Sequence, residues 1–323
     1  MTLPALSRLT GRLPRTTTPV VRRLAIASLV SQIAIVVTGG AVRLTASGLG
    51  CPEWPRCTPD SIVTTPEMGF HGVIEFGNRL LTFVLVLIAV AMIVSVLGMR
   101  RERKDLFRLS IGLFLGIPAQ AVIGGITVWT DLNPWVVGLH FLVSMILVAL
   151  ATVLVNRARL SAEQYRAERS PAASPLLRQL LVTATVLTSI AVVLGVIVTG
   201  SGPHAGDHGA ARNGLDSDLV TRLHALPVYL LVATVALAVV VAYRSPVHAK
   251  LRKALGILAA VVLVQGAIGY TQHFLHLPIA LVALHMLGAS LLMAAVIHAQ
   301  YTGTTRKALP GTHPEARVRQ AVS

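Results

Sequence analysis

The sequence predicts an all-α integral membrane protein: eight transmembrane helices forming two pseudo-twofold related four-helix bundles, with both termini cytoplasmic. Three observations predict it. Of 323 residues, 54% are hydrophobic and 13% charged, and the mean hydropathy is +0.72. Soluble domains carry roughly 25% charged residues, so a water-soluble protein, a disordered chain and a disulfide-rich secreted module are excluded. Next, apolar stretches occupy 24–42, 74–98, 109–130, 135–155, 178–200, 220–242, 254–273 and 279–301. Each is long enough to cross about 30 Å of hydrocarbon as a helix. Finally, 23 of the 28 Lys and Arg residues fall in the two tails and the second, fourth and sixth connections, leaving Arg43, Arg56, Arg79, Arg212 and Arg222 for the other side. Cytoplasmic loops are enriched in Lys and Arg, which places both termini inside. The net charge of +15 therefore meets anionic lipid headgroups and not nucleic acid.

Taken along the chain, residues 1–23 form a cytoplasmic basic tail, with no acidic residue before Glu53. They lead into a first span that ends in Gly39-Gly40 and a charged segment without an evident A-x-A cleavage site, and so read as an inside-facing tail; an organelle transit segment is the alternative. Residues 24–155 form the first bundle, 156–177 a basic cytoplasmic linker, 178–301 the second bundle and 302–323 the C-terminal tail. An internal repeat supports this division. Gln120-Ala-Val-Ile-Gly-Gly-Ile-Thr matches Gln265-Gly-Ala-Ile-Gly-Tyr-Thr at an offset of 145, and His140 matches His285 at the same offset. Thr38-Gly39 echoes Thr199-Gly200. Four spans per half give both halves the same orientation, with the repeat axis along the membrane normal.

Ionisable groups within membrane helices are costly and mark functional positions. Glu75 and Asn78 lie near the start of span 2, and His140, His224 and His285 near the starts of spans 4, 6 and 8. Even-numbered spans run inward from the outer face, so these positions share a depth in the outer leaflet. Two neutral imidazoles on facing helices can ligate one haem iron from opposite sides, and His224 with His285 fits that pattern. Separate packing histidines are the plainer reading. In the first half the place of His224 falls to Asn78, a poor iron ligand, so His140 stands alone beside Glu75. His71, seven residues before Asn78, is about two helical turns away; it is a ligand, part of a proton path or an ordinary interfacial histidine. Glu75 must be paired, solvated or protonated at this depth, and Arg79, four residues on, is the evident partner. Arg79 and Arg222 are candidate contacts for porphyrin propionates.

The first outer loop carries Cys51 and Cys57 with two prolines between them. A disulfide persists on an outer face and would stiffen a loop over the first-half site; two free thiols are the other reading. Gln120 and Gln265 read as interhelical hydrogen-bonding groups, and His298, near the inner end of span 8, as a headgroup contact.

The run Gly39-Gly-Ala-Val-Arg-Leu-Thr-Ala-Ser-Gly-Leu-Gly-Cys-Pro-Glu-Trp-Pro-Arg-Cys57, followed by Glu75-Phe-Gly-Asn-Arg79 and the repeated histidine spans, resembles the haem A synthase family over about residues 24–301. The resemblance implies a membrane enzyme that oxidises the C8 methyl of haem O to a formyl group. It implies a haem b cofactor held by His224 and His285, and the substrate haem O bound through His140 beside a catalytic Glu75. It also implies a Cys51–Cys57 disulfide. One departure stands out: many members have a histidine where this chain has Asn78. The implied partners are membrane lipid, a haem O synthase as supplier, and an electron acceptor, with quinone a candidate; a homo-oligomer is left open. The implied location is the bacterial plasma membrane, with the mitochondrial inner membrane as the alternative. A different class, suggested by the histidine pair alone, is a bis-histidine haem b electron carrier exchanging electrons with quinone.

Overall fold

The computed structural model describes residues 16–166, 169–170, 173–204, 206–304 and 307–308. Most of the two basic tails, with Arg8, Arg12, Arg15, Arg306, Arg317 and Arg319, lies outside the described residues. Among these residues there are eight long helices: α1 (Pro19–Leu44), α2 (Gly69–Leu97), α3 (Lys104–Trp129), α4 (Pro134–Ala158), α5 (Pro175–Ser201), α6 (Ser217–Arg244), α7 (Ala249–Phe274) and α8 (Ile279–Thr304). All eight are long and apolar enough to cross a membrane, and the chain is a multi-pass membrane protein. A 3-10 turn at Pro66–Met68 leads into α2, a five-residue helix spans Ala162–Arg166, and the two-residue strands β1 (Arg169–Ser170) and β2 (Lys307–Ala308) pair antiparallel.

The helices overrun the apolar stretches because their ends are built from polar caps. Thr18, Asn133, Ser174 and Asp216 each accept a hydrogen bond from the first turn of α1, α4, α5 and α6. Proline occupies the first helical position of α1, α4 and α5, where its missing N–H costs nothing and its φ suits the helix. Hydropathy undercounts such ends.

Helices α1, α2, α3 and α4 pack in a closed ring, and α5, α6, α7 and α8 in a second. Between the rings α4 lies against α8, flanked by the pairs α1 with α8 and α4 with α5. Exchanging the two halves converts one flanking pair into the other, as a twofold arrangement requires. The repeat is also written in the backbone. Asp131 and Leu132, between α3 and α4, have φ of 47° and 59°, and His276 and Leu277, between α7 and α8, have φ of 58° and 60°. Leu132 N donates to Thr127 O at 2.8 Å and Leu277 N to Gln272 O at 2.7 Å. Non-glycine residues seldom enter the left-handed region. Two copies of the same uncommon turn, 145 residues apart, mark a duplicated unit.

The dry cores fill one half of the membrane thickness. Leu177, Leu181, Leu231, Leu251, Leu255, Leu258 and Val296 make one cluster, and Val21, Met92, Val96, Leu106, Leu113 and Leu154 another. Both lie toward the basic loops. Lipid tails are as apolar as leucine, so close packing and hydrogen bonds, more than hydrophobic burial, hold such helices together.

One expectation is corrected here. His298 is not a headgroup contact. Its Nδ1 lies 2.7 Å from Asn156 Oδ1 on α4, while Asn156 Nδ2 donates to Thr152 O at 2.9 Å. Hydrocarbon offers no water to a half-buried ring nitrogen, so α4 and α8 satisfy each other. Asn156→Ala is expected to weaken the association of the two bundles by about 1 kcal/mol, read as a lower midpoint in detergent-driven unfolding; an unchanged midpoint would show that the link is dispensable.

Candidate functional site

The half of the membrane opposite the dry cores holds the histidines, and each lies against a glycine on the preceding helix. A Cβ on Gly124 of α3 would stand 3.3 Å from His140 Cε1 of α4. One on Gly195 of α5 would stand 3.2 Å from His224 Cε1 of α6, and one on Gly269 of α7 3.2 Å from His285 Cε1 of α8. The absent side chains make the space in which the rings lie. His224 on α6 and His285 on α8 stand on opposite corners of the second ring.

Nε2 of each imidazole ring makes no hydrogen bond among the described residues. His224 Nδ1 meets Ala191 O at 2.9 Å, which fixes Nδ1 as the protonated nitrogen and leaves the Nε2 lone pair available. The Nδ1 atoms of His140 and His285 are buried without a partner. Gln120 Nε2 donates to His140 O at 3.0 Å, and Gln265 Nε2 to His285 O at 2.9 Å. This pins the helix backbone beneath each imidazole in the same way in both repeats. Two neutral imidazoles with unengaged Nε2 atoms are a donor set that suits axial ligation of haem iron.

The first ring departs from this pattern at one corner. Asn78 lies on α2, the helix that corresponds to the α6 of His224 in the ring order, with Gly39 of α1 beside it: a Cβ there would stand 3.9 Å from Asn78 Nδ2. Thr38 Oγ1 donates to Asn78 Oδ1 at 2.7 Å, so the amide oxygen is engaged. His71 is exposed, and its Nδ1 lies 2.9 Å from Ser47 Oγ in the α1–α2 loop.

Glu75, Arg79 and the cysteines form one assembly. Cys51 and Cys57 are joined by a disulfide. Cys51 N donates to Glu75 Oε2 at 2.6 Å. Arg79 pairs with Glu75 through Nε at 3.1 Å and through Nη2. The same guanidinium donates to the carbonyls of Cys51, Glu53 and Arg56. Glu75 is buried and the pair sits under the loop as a clamp. Arg79 thus gives its donors to the loop, whereas Arg222 is exposed and makes no hydrogen bond among the described residues. The loop also lies on the first ring: Trp54 packs on Gly125, next to the glycine that meets His140, and Trp129 Nε1 donates to Trp54 O at 3.1 Å.

Two connections tie the halves together on this face. Arg43 of α1 donates to His204 O at 2.7 Å and to Thr199 O at 3.0 Å, and Gly48 N donates to Gly206 O at 2.9 Å. His204 in turn lies 2.9 Å from Leu277 O. Among the described residues no cluster of three or more His, Cys, Asp or Glu could hold a bare metal ion. The glycines and the reach of Arg43 are not apparent from composition or hydropathy; Gly124 and Gly269 sit inside the repeat, and their shared spacing of 16 residues to His140 and His285 is the signal for them.

The sequence profile of a family described as COX15-CtaA, cytochrome oxidase assembly protein, matches residues 22–206. A heme A synthase of Exiguobacterium sibiricum is 31% identical over 174 residues, covering 52% of this chain and 55% of its own length. One of Symbiobacterium thermophilum is 28% identical over 181 residues, covering 55% and 58%. One of Shewanella oneidensis is 24% identical over 321 residues, covering 85% and 94%. The chain thus spans about half the length of the first two relatives and nearly all of the third.

The clamp sets an expectation. Arg79→Gln removes the ion pair and most of the loop contacts, leaving Glu75 buried with one backbone donor. Breaking such a pair costs about 3–5 kcal/mol. The Cys51–Cys57 bridge should become several-fold faster to reduce, measured by thiol labelling of the folded protein after brief exposure to a water-soluble phosphine. Equal labelling rates would show that the loop stands without Arg79.

Proposed function

This chain belongs to the COX15-CtaA family of cytochrome oxidase assembly proteins, and from that premise we propose that it is a haem A synthase, an oxidoreductase that converts the C8 methyl of haem O into a formyl group. The observation that carries this reading is the pair His224 and His285, each laid against a glycine with Nε2 unengaged. In the proposal these two rings hold a haem b, which supplies one-electron redox capacity beside the substrate bundle. His140, in the equivalent fold position of the first ring, binds the iron of haem O.

The chemistry asked of the first site is two successive oxidations. In the first, the methyl carbon loses two electrons and a proton, and water adds to give a hydroxymethyl group with release of a second proton. In the second, the same balance gives a gem-diol, which loses water to become the aldehyde. Electrons leave to an external acceptor of the quinone class. A carboxylate at the substrate edge has two tasks in that sequence: stabilising the electron-poor carbon and taking the proton from the incoming water. Glu75 is assigned both. Arg79 and the Cys51 amide hold it in place, and Arg222 is the guanidinium left for a propionate. The disulfide loop, seated on α3 through Trp54, keeps bulk water from the substrate.

Further assignments follow from the same reading. The basic face is cytoplasmic, the membrane is the bacterial plasma membrane, and a haem O synthase supplies the substrate. The first and second bundles, 24–155 and 178–301, are the substrate and cofactor units.

Porphyrin extraction from cells provided with haem O, followed by mass analysis, tests the activity. A formyl porphyrin is expected. Protohaem alone would replace the proposal with a bis-histidine electron carrier. In purified protein, His224→Ala and His285→Ala should each abolish low-spin b-type absorption; retention of those bands in either variant would remove the ligand assignment. Glu75→Ala should leave the bands intact while formyl product falls by about 10²-fold or more, within the range of general acid–base catalysis. Asn78→His should add a second axial ligand in the first ring, giving extra low-spin absorption and slower product release at a similar amount of bound haem. Unchanged spectra would place Asn78 away from the iron.

A further inference from the structure

A cleft of about 470 Å³ opens at the basic face between the start of α3, the end of α4 and the short helix Ala162–Arg166. That is within the size range of ligand sites, and it lies at the other end of the bundle from the histidines. Asp105 is the carboxylate in its lining, and that charge is already met. Arg103 holds both of its oxygens, Nε to Oδ1 at 3.1 Å and Nη2 to Oδ2 at 3.1 Å. Arg103 also donates to Arg157 O at 2.8 Å and Leu160 O at 2.7 Å, and its guanidinium lies 4.8 Å from the centre of the Tyr165 ring. It is 1% exposed, so it forms a fixed floor and not a ligand.

Three further cations remain. Lys104 and Arg108, one turn apart on α3, are exposed and make no hydrogen bond among the described residues. Arg157 Nη1 stands 3.9 Å from Asp105 Oδ2, beyond hydrogen-bond reach. Below these charges the lining turns apolar, with Leu109, Leu150 and Gly112. A Cβ on Gly112 would meet nothing within 4 Å, so the apolar end of the cleft has open space beside α3. Cations at the top and an apolar channel below match an anionic amphiphile. A free phosphate would use only the upper part.

We propose that this cleft binds the phosphate headgroup of an anionic phospholipid, with Lys104, Arg108 and Arg157 around the phosphate and the first acyl segment over Gly112. Membrane-facing basic pockets of this kind recognise lipid headgroups, each Lys or Arg contributing about 1 kcal/mol. The proposal does not depend on the haem chemistry above.

The test is native mass spectrometry of the full chain in detergent, titrated with phosphatidylglycerol, phosphatidylcholine or inorganic phosphate. The wild type should retain one phosphatidylglycerol at concentrations where phosphatidylcholine has dissociated. The Lys104→Gln/Arg108→Gln double variant should lose about 25-fold in phosphatidylglycerol affinity, the factor that two such charges supply. Gly112→Leu keeps the charges and fills the groove; it should weaken lipid binding several-fold. Lys250→Gln/Lys253→Gln, neutralising the start of α7, should leave the tight lipid in place. Equal loss in that control, no loss in the first double variant, or displacement of the lipid by low-millimolar phosphate with Gly112→Leu unaffected, each overturns the proposal. A fold defect would show as loss of helical circular dichroism and is separated by Gly112→Leu, which removes no polar contact.

Discussion

Contact between an imidazole and a neighbouring glycine sets the architecture of the upper half of this protein. A histidine on a membrane helix must either hydrogen-bond at once or have room to meet a ligand, because hydrocarbon offers neither water nor a polar surface. Gly124, Gly195 and Gly269 provide that room on the preceding helix. A methyl group at any of them would press on the ring within 3.3 Å, closer than most carbon contacts tolerate. The ring therefore has a seat that is shaped by absence. The dry clusters of the other half, around Leu258 and Leu154, carry the packing that this half gives up.

A second constraint acts on the loops. Arg43 and Arg79 are both engaged at the end of the membrane that bears the disulfide; Arg43 donates to backbone carbonyls, and Arg79 divides its donors between backbone carbonyls and Glu75. Arginine suits this task because its planar fork presents five donors in fixed directions. Arg79 folds the α1–α2 loop onto its own bundle, whereas Arg43 reaches to the other half. The loop above the proposed substrate site is thus held by one ion pair from below and by the neighbouring bundle from the side. Under the proposed chemistry this matters, since each oxidation takes up one water and a loop that opened freely would flood the site with bulk solvent.

The helices, their number and the repeat were legible because hydrocarbon imposes length and apolarity on every span, and because Gln120 and Gln265 are conspicuous in such surroundings. The ion pair of Glu75 with Arg79 and the pairing of Cys51 with Cys57 followed from spacing and from the family resemblance. Other features were not legible for physical reasons. Polar caps such as Asp216 extend helices without adding hydropathy. His298 sits near a helix end in the chain but meets Asn156 only once two bundles pack. Leu132 and Leu277 carry a left-handed turn that residue preference argues against. The glycines matter through what lies opposite them, which a one-dimensional pattern does not record.

The two rings share a scaffold but differ in the polar residue at one corner, and that asymmetry fits the proposed division of labour. Gly39 lies beside Asn78 and Gly195 beside His224, yet the amide oxygen of Asn78 accepts from Thr38 while His224 keeps Nε2 unengaged, and Gly39 itself echoes Gly200 in the repeat. A resident cofactor benefits from two axial bonds, because both must break before it escapes. A substrate held by His140 alone leaves after one bond breaks, and affinity differences of this kind fall mainly on the dissociation rate. Turnover requires release of product, so a bundle with a single imidazole is suited to exchange and a bundle with two is suited to retention.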